Sequence, residues 1–337
     1  MRESVSLRTA ICQVQDVDAS TGAFGRQLGV TSVNVTTPRI PDEKGYWEVE
    51  DVVALRERCA SHGLTLEVIE NTPLWFYDKI MWGLDGRDEQ IENYQRTIRN
   101  VAAAGVPMLG FHFMLTSVWR TSMEHPVRGG AKATAYDHAL AVHGNRVEHG
   151  GRLIDQRVDR DAEVTAEQVW DNYAYFLDAV LPVADEVGLK LAQHPDDPPV
   201  DVIDGVARVF TSTDAFVRAE QLARGSPAWG LDLCVGTISE KGGAEEVEKI
   251  IATFGPRGKI RYVHFRDVLG TVPAFTEVFL GEGNFDPPKV IRQLIDVGFD
   301  GWLQDDHVPW IDDDTYWGRR ARAHEIGYIQ GVIAALR

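Results

Sequence analysis

The sequence predicts an α/β fold, a (β/α)8 TIM barrel, on three observations. Short β-branched runs alternate with longer amphipathic segments, the pattern of βα units around a parallel sheet. Eight such runs follow one another in strict order. Residues with ligand or acid–base chemistry close successive runs, which favours a closed barrel over the rival doubly wound open sheet. A chain of 337 residues fits one such barrel, and no linker, low-complexity segment or sequence repeat divides it. Residues 1–337 therefore read as a single domain.

The first run is roughly Ser6–Val14 and the second is TSVNVTT, 31–37. A helix over 48–62 follows, with Val49, Val52, Leu55 and Cys59 three and four apart and Gly63 at its C-cap. The third run, LTLEVI, ends near Ile69; the helix after it starts about Arg87, shows Ile91, Tyr94, Ile98 and Val101 on one face, and stops near Gly105. The fourth run, PMLGFHF, ends at Phe113. Residues 114–162 are rich in His, Gly and Arg and poorly periodic, so they read as a loop partly covering the catalytic end. A helix from about Thr165 to Val187 leads to LKLAQH, which ends at His194, and a helical region occupies much of 203–223. WGLDLC ends at Cys234, a helix carries Val247, Ile250, Ile251 and Phe254, and IRYVH ends at His264. A second long loop, 265–285, precedes a helix with Asp286 at its N-cap, Pro287 at N1 and Gly298 beyond its end. GWLQDD ends at Asp306, and a last helix runs from about Arg319 to Ala335.

Hydrophobic residues make up 44% of the chain, enough for a large core, which excludes a disordered protein. The net charge of −17 and the lack of a basic stretch argue against a nucleic-acid partner. An anionic small substrate remains compatible, since a bound cation and a few arginines reverse the potential locally. Three cysteines are too few and too odd for a disulfide framework, which points to a reducing compartment. The N-terminal stretch has no signal-peptide core and no segment approaches a membrane span, so the expected location is the cytoplasm.

His194, Cys234, His264 and Asp306 close the fifth to eighth runs. Every parallel strand of a barrel delivers its C-terminal residue to the same mouth, so this tetrad converges without special loops. Imidazole, thiolate and carboxylate form a first shell for a divalent transition metal, and the mixed set suits zinc, iron(II), manganese(II) or cobalt(II). His307 follows Asp306 and should leave the strand in another direction, as an acid–base group or as a carboxylate-orienting partner. Arg120 and His112 belong to the region at and after the fourth run, where an arginine would grip a substrate carboxylate in bidentate fashion or form an ordinary salt bridge. Arg266 presents the same choice. Asp196 and Asp197 in HPDDPP read as loop stiffeners, and Glu282 as a hydrogen-bond acceptor or turn residue.

Several segments resemble the mannonate dehydratase family: QHPDDPP (193–199), LDLCVGT (231–237), IRYVHFRDV (260–268), FTEVFLGEGNFD (275–286) and DDH (305–307). IENYQRTIRNVAAAGV (91–106), FHFM (111–114) and WRT (119–121) resemble it too, so the likeness spans most of the barrel after residue 64. The resemblance implies a xylose-isomerase-like TIM barrel holding a divalent metal, commonly Mn2+, on the residues that match His194, Cys234, His264 and Asp306. It implies dehydration of D-mannonate or a related aldonate to a 2-keto-3-deoxy sugar acid. It also implies an acid–base pair of His307 and a tyrosine in the loop after it, for which Tyr316 is the nearest match and Trp317 the competitor. A homo-oligomer is implied as well.

The N-terminal half departs from the family pattern. An HHIP-like segment is TPRIP here, with Pro38 and Arg39; an ESxPVHE-like run is ENTPLWFYD, with Trp75 where a histidine is expected; and His112 replaces an asparagine. These changes rewrite substrate recognition and leave the metal residues intact, with Trp75, Phe76 and Tyr77 offering an apolar wall or packing as a lid. Two other functions fit the same barrel. A metal-dependent sugar isomerase or epimerase would use the metal to stabilise an enediol, and a catalytically silent protein would only bind sugar acids.

Overall fold

The computed structural model describes residues 7–141 and 163–337. Its elements run β1 (Arg8–Val14), α1 (Ala19–Gln27), β2 (Ser32–Thr36), α2 (Val49–Ser61), β3 (Thr65–Glu70), α3 (Asp78–Trp82), α4 (Arg87–Ala103) and β4 (Met108–Phe111). Then come β5 (Ser122–Pro126), β6 (Lys132–Asp137), α5 (Ala166–Val187), β7 (Lys190–Gln193), β8 (Val202–Ile203), β9 (Val206–Ala207), α6 (Thr213–Leu222), β10 (Trp229–Cys234) and α7 (Val235–Phe254). The chain continues with β11 (Ile260–His264), β12 (Asp267–Thr271), β13 (Ala274–Val278), α8 (Pro287–Asp296), β14 (Trp302–Gln304) and α9 (Arg319–Leu336).

Eight of these strands close a parallel barrel in the order β1-β14-β11-β10-β7-β4-β3-β2. Their outward side chains pack under the helices in one large core. The residues that fix this packing follow helical spacing: α5 buries Trp170, Tyr173, Phe176 and Leu177, and Thr165 caps it in a box with Gln168. Inside the barrel, Ala10, Val68, Met108, Ala192, Tyr262 and Trp302 form a separate buried cluster. Tyr262 and Trp302 stack with ring planes 3° apart, and Arg8 lies 5.3 Å over the Trp302 ring. A Cβ on Gly110 would lie 2.6 Å from the Tyr262 hydroxyl, so glycine there makes room for this filling. The interior is therefore a packed core, and space for chemistry lies at the C-terminal mouth.

Three strands end sooner than their sequence suggests. β4 stops at Phe111, β7 at Gln193 and β14 at Gln304, so His194 is the first residue past its strand and Asp306 the second. The helix expected within 203–223 starts only at Thr213, because 202–207 form the small β8–β9 hairpin. Asp286 does occupy the N-cap of α8 with Pro287 at N1, but its side chain makes no capping hydrogen bond.

The larger difference concerns the two long loops. The loop after β4 contains the β5–β6 hairpin and the loop after β11 contains the β12–β13 hairpin. They join edge to edge through β13 and β6 into a four-stranded antiparallel sheet. Lys132 and Trp310 exchange both backbone hydrogen bonds, at 3.1 and 2.6 Å, which ties the loop after β14 to the same sheet. Residues 142–162 of the expected lid lie outside the described residues. No helix among the described residues is long and apolar enough to cross a membrane.

Candidate metal centre and the charge network beside it

Parallel strands bring the ends of β7, β10 and β11 to one rim. The ligand atoms of His194, Cys234 and His264 all lie within 4.8 Å of one another. The Asp306 carboxylate arrives from the neighbouring loop, with Oδ2 3.7 Å from His264 Nδ1 and 3.9 Å from Cys234 Sγ. It is held in place by Gln13 Nε2 at 2.9 Å and Arg266 Nε at 3.0 Å. Gln13 reaches it from a left-handed backbone conformation, φ 57°, uncommon for a residue with a side chain.

The donor chemistry fits a divalent metal. The Pro195 carbonyl lies 2.7 Å from His194 Nδ1; a carbonyl can only accept, so Nδ1 carries the hydrogen and Nε2 keeps its lone pair. His264 Nδ1 is buried without a hydrogen-bond partner, which is the condition of a ligand nitrogen rather than of a satisfied core histidine. Its other nitrogen, Nε2, faces Glu70 at 3.0 Å and Asp232 at 3.5 Å, the carboxylate–imidazole arrangement that orients ligating histidines. Gln304 Nε2 donates to the same Glu70 oxygen at 3.1 Å, fixing the carboxylate in turn.

Electrostatics favours the thiolate form of Cys234. Burial pushes its thiol up, but the Arg266 guanidinium and the neighbouring His194 and His264 rings outweigh that and hold it well below the ordinary range. Cys234 also caps α7, with its sulfur 3.1 Å from the Thr237 hydroxyl. Burial likewise pushes the Asp306 carboxyl up, and His307, His264 and Arg266 together hold it far below the usual carboxylate range. Asp232 goes the other way, raised to about 7 chiefly by burial.

Beside this centre lies a buried cluster of charges. Arg120 donates to both oxygens of Asp197 at 2.5 and 2.8 Å, to Glu277 at 2.7 Å, and to Thr134 and the Trp119 carbonyl. Arg266 donates to Asp306, Glu240, Asp197 and Thr237 at 2.9–3.0 Å. A Cβ on Gly236 would lie 2.6 Å from the Arg266 side chain, so glycine makes room for this guanidinium. Burial pushes the Glu240 carboxyl well up, and the nearby Asp197 adds to it. Asp197, Glu240 and Glu277 each lie within 4.0 Å of both guanidinium groups. Such a network is costly to break, because removing one member strands its partner's charge without water.

The sequence left Arg120 and Arg266 between gripping a substrate carboxylate and forming an ordinary salt bridge. Both are fully buried, and their N–H groups are engaged by the chain's own carboxylates and carbonyl or hydroxyl oxygens. His112 is buried too; burial pushes it down to about 3, so it is neutral, and its Nδ1 accepts from the Met114 amide at 3.2 Å. Of the expected aromatic wall only Trp75 is open, at 42% exposure, while Phe76 and Tyr77 lie in the core. Tyr316 is 80% exposed and not part of the buried centre. Its neighbour Trp317 turns inward instead, donating to the Cys12 carbonyl at 3.3 Å. His307 lies in the network, its Nδ1 2.7 Å from Glu277 and its Nε2 3.8 Å from Asp306 Oδ1.

Asp196 staples a turn by accepting from the amides of Val209 and Phe210, and Glu282 pairs with Arg128 near the surface. Sequence reasoning missed Glu70, Asp232, Gln304, Gln13 and Glu277. The first three carried a signal, being polar residues inside apolar buried strands. Glu277 lies in FTEVFLGEGNFD, one of the segments that resemble the family, but an acidic residue in a long loop is ordinary and its role carried no signal of its own.

A family model described as D-mannonate dehydratase (UxuA) matches residues 18–337. The mannonate dehydratase 2 of Halalkalibacterium halodurans is 31% identical over 293 residues, covering 82% of this chain and 82% of that protein. A mannonate dehydratase structure from Streptococcus suis serotype 2 is similar with a TM-score of 0.85 at 28% identity, over 98% of this chain and 93% of that one. An L-ribulose 3-epimerase structure shares the fold alone, with a TM-score of 0.61 at 17% identity over 98% and 96% of the two chains.

Proposed function

The chain belongs to the D-mannonate dehydratase family, and from that premise we propose a metal-dependent hydro-lyase that removes water from a sugar acid. The substrate is D-mannonate or a related aldonate and the product a 2-keto-3-deoxy sugar acid. The observation that carries this reading is the convergence of His194, Cys234 and His264 with Asp306 at the barrel mouth, with His307 adjoining. Those four residues would hold the metal, with Mn2+ the first choice and Fe2+, Co2+ or Zn2+ compatible with the donor set.

The elimination breaks the C2–H bond, forms the C2–C3 double bond and expels the C3 hydroxyl, which leaves as water after taking a proton. The enol then tautomerises to the 2-keto acid. A bound divalent metal supplies Lewis-acid stabilisation of the negative charge that grows on the substrate carboxylate as C2 is deprotonated. His307 moves a proton at Nε2, the ring nitrogen turned away from Glu277. Gln13 and Arg266 keep Asp306 directed at the centre, and Glu70 does the same for His264. Burial of Glu70, His264, Arg266 and Asp306 keeps water from competing for these hydrogen bonds.

Arg39, Trp75 and His112 differ from the family pattern, so they set which aldonate is accepted. The protein, stripped of metal and reloaded separately with Mn2+, Fe2+, Co2+ or Zn2+, is to be screened against aldonates and aldoses by mass spectrometry. Loss of one water from an aldonate is expected. An isomer of unchanged mass, or binding without turnover across the panel, would overturn the assignment.

A further inference from the structure

His307 comes from the loop after β14, but the group that holds it comes from elsewhere. Glu277 Oε1 lies 2.7 Å from His307 Nδ1. It stands on β13, opposite Val268 of β12, in the accessory sheet rather than the barrel. A carboxylate oxygen facing a buried imidazole accepts, so Nδ1 carries the hydrogen and Nε2 is the nitrogen that exchanges a proton in the proposed reaction. Nε2 is also the nitrogen nearer Asp306, on the side of the metal centre.

Glu277 is itself immobilised from the other hairpin of the sheet. Arg120, just ahead of β5, donates to the same Oε1 from Nη2 at 2.7 Å and from Nε at 3.3 Å. The Thr134 hydroxyl on β6 accepts from Arg120 Nε at 3.2 Å, and the guanidinium lies 5.2 Å over the Phe275 ring of β13. Glu277, Arg120 and Thr134 are all buried. Both hairpins thus converge on one carboxylate oxygen, and that oxygen contacts the proton-transfer histidine.

We propose that Glu277 is the positioning residue of the dehydration, fixing the tautomer and rotation of His307 through Nδ1, and that the accessory sheet serves to deliver it. This rests on His307 being the proton-transfer group, as proposed above. The competing explanation is that Glu277 only neutralises Arg120. Asp197 separates the two, because it takes hydrogen bonds from the same Arg120 and from Arg266.

The test compares E277Q, E277D and D197N in the manganese-loaded protein, with kcat, KM and metal content measured separately. E277Q is expected to lower kcat by about 10- to 100-fold with KM and metal content nearly unchanged, the usual size for an orienting partner. E277D should recover part of the loss. D197N should lower the melting temperature and leave most of kcat. Wild-type kcat in E277Q, or an equal kcat loss in D197N, would overturn the positioning role.

A second measurement needs neither folding of E277Q nor turnover. In the zinc-loaded wild-type protein, the 15N resonances of His307, assigned by their loss in H307N, should show Nδ1 protonated. An unprotonated Nδ1 would overturn the proposal. An aldonate screen without water loss alongside a protonated Nδ1 would fault the functional reading alone and leave the Glu277–His307 pairing standing.

Discussion

The two sides of the barrel mouth are built by different means. On one side, His194, Cys234 and His264 sit at or next to the ends of β7, β10 and β11, so regular strands place them. On the other, Glu277 and Arg120 come from long loops that earn their rigidity from a second sheet and from buried ion pairs. The strand side needs only the closure of the barrel. The loop side needs long-range pairing between segments about 140 residues apart, β6 with β13. A site made this way has a fixed metal half and a half that can be altered by changing loops.

The comparison is broken most severely from the strand side. Cys234→Ala removes the buried thiolate, and the protein is expected to lose its metal by elemental analysis and its dehydration activity together. Retention of both would remove the tetrad as the metal centre. His307→Asn crosses to the loop side: metal content should stay near that of the wild type while kcat falls about 10²- to 10⁴-fold, the range of a lost general acid or base. Normal turnover would take His307 out of the reaction.

Two smaller effects sharpen the boundary. Glu70→Gln keeps the shape of the side chain that orients His264 but removes its charge, so metal affinity measured by competition with a chelator should weaken about 10- to 100-fold. An unchanged affinity would mean that Glu70 only packs. Tyr316→Phe should change stability by less than about 0.5 kcal/mol, as for other surface positions, with steady-state kinetics unaltered. A collapse of kcat in that variant would bring the tyrosine back into the site.

The barrel was legible in the sequence because buried parallel strands read as apolar runs, and their polar last residues stand out against that background. WGLDLC and IRYVH, closed by Cys234 and His264, show it directly. His194 and Asp306 stood out for the same reason, although their strands stop one and two residues short of them. The accessory sheet was not legible. β5 reads SMEHP and is largely exposed, so it lacks the alternation that marks a half-buried strand, and its pairing is decided by distant residues. Arg120 and Arg266 were left between two readings for a related reason. The same guanidinium grips a substrate carboxylate or one of the chain's own, and only burial decides between them. Tyr316 and Trp317 differ by one position, and on an irregular loop no periodicity says which of two aromatic neighbours turns inward.

Barrels of this type usually change one loop at a time, since each βα loop is anchored only to its own strand and helix. Here the loops after β4, β11 and β14 are laced together by the β6–β13 ladder and the Lys132–Trp310 bridge. Transplanting any one of them from a relative would leave unpaired backbone on the others. Redesign of this mouth, in the laboratory or by natural drift, therefore has to move the three loops as a set.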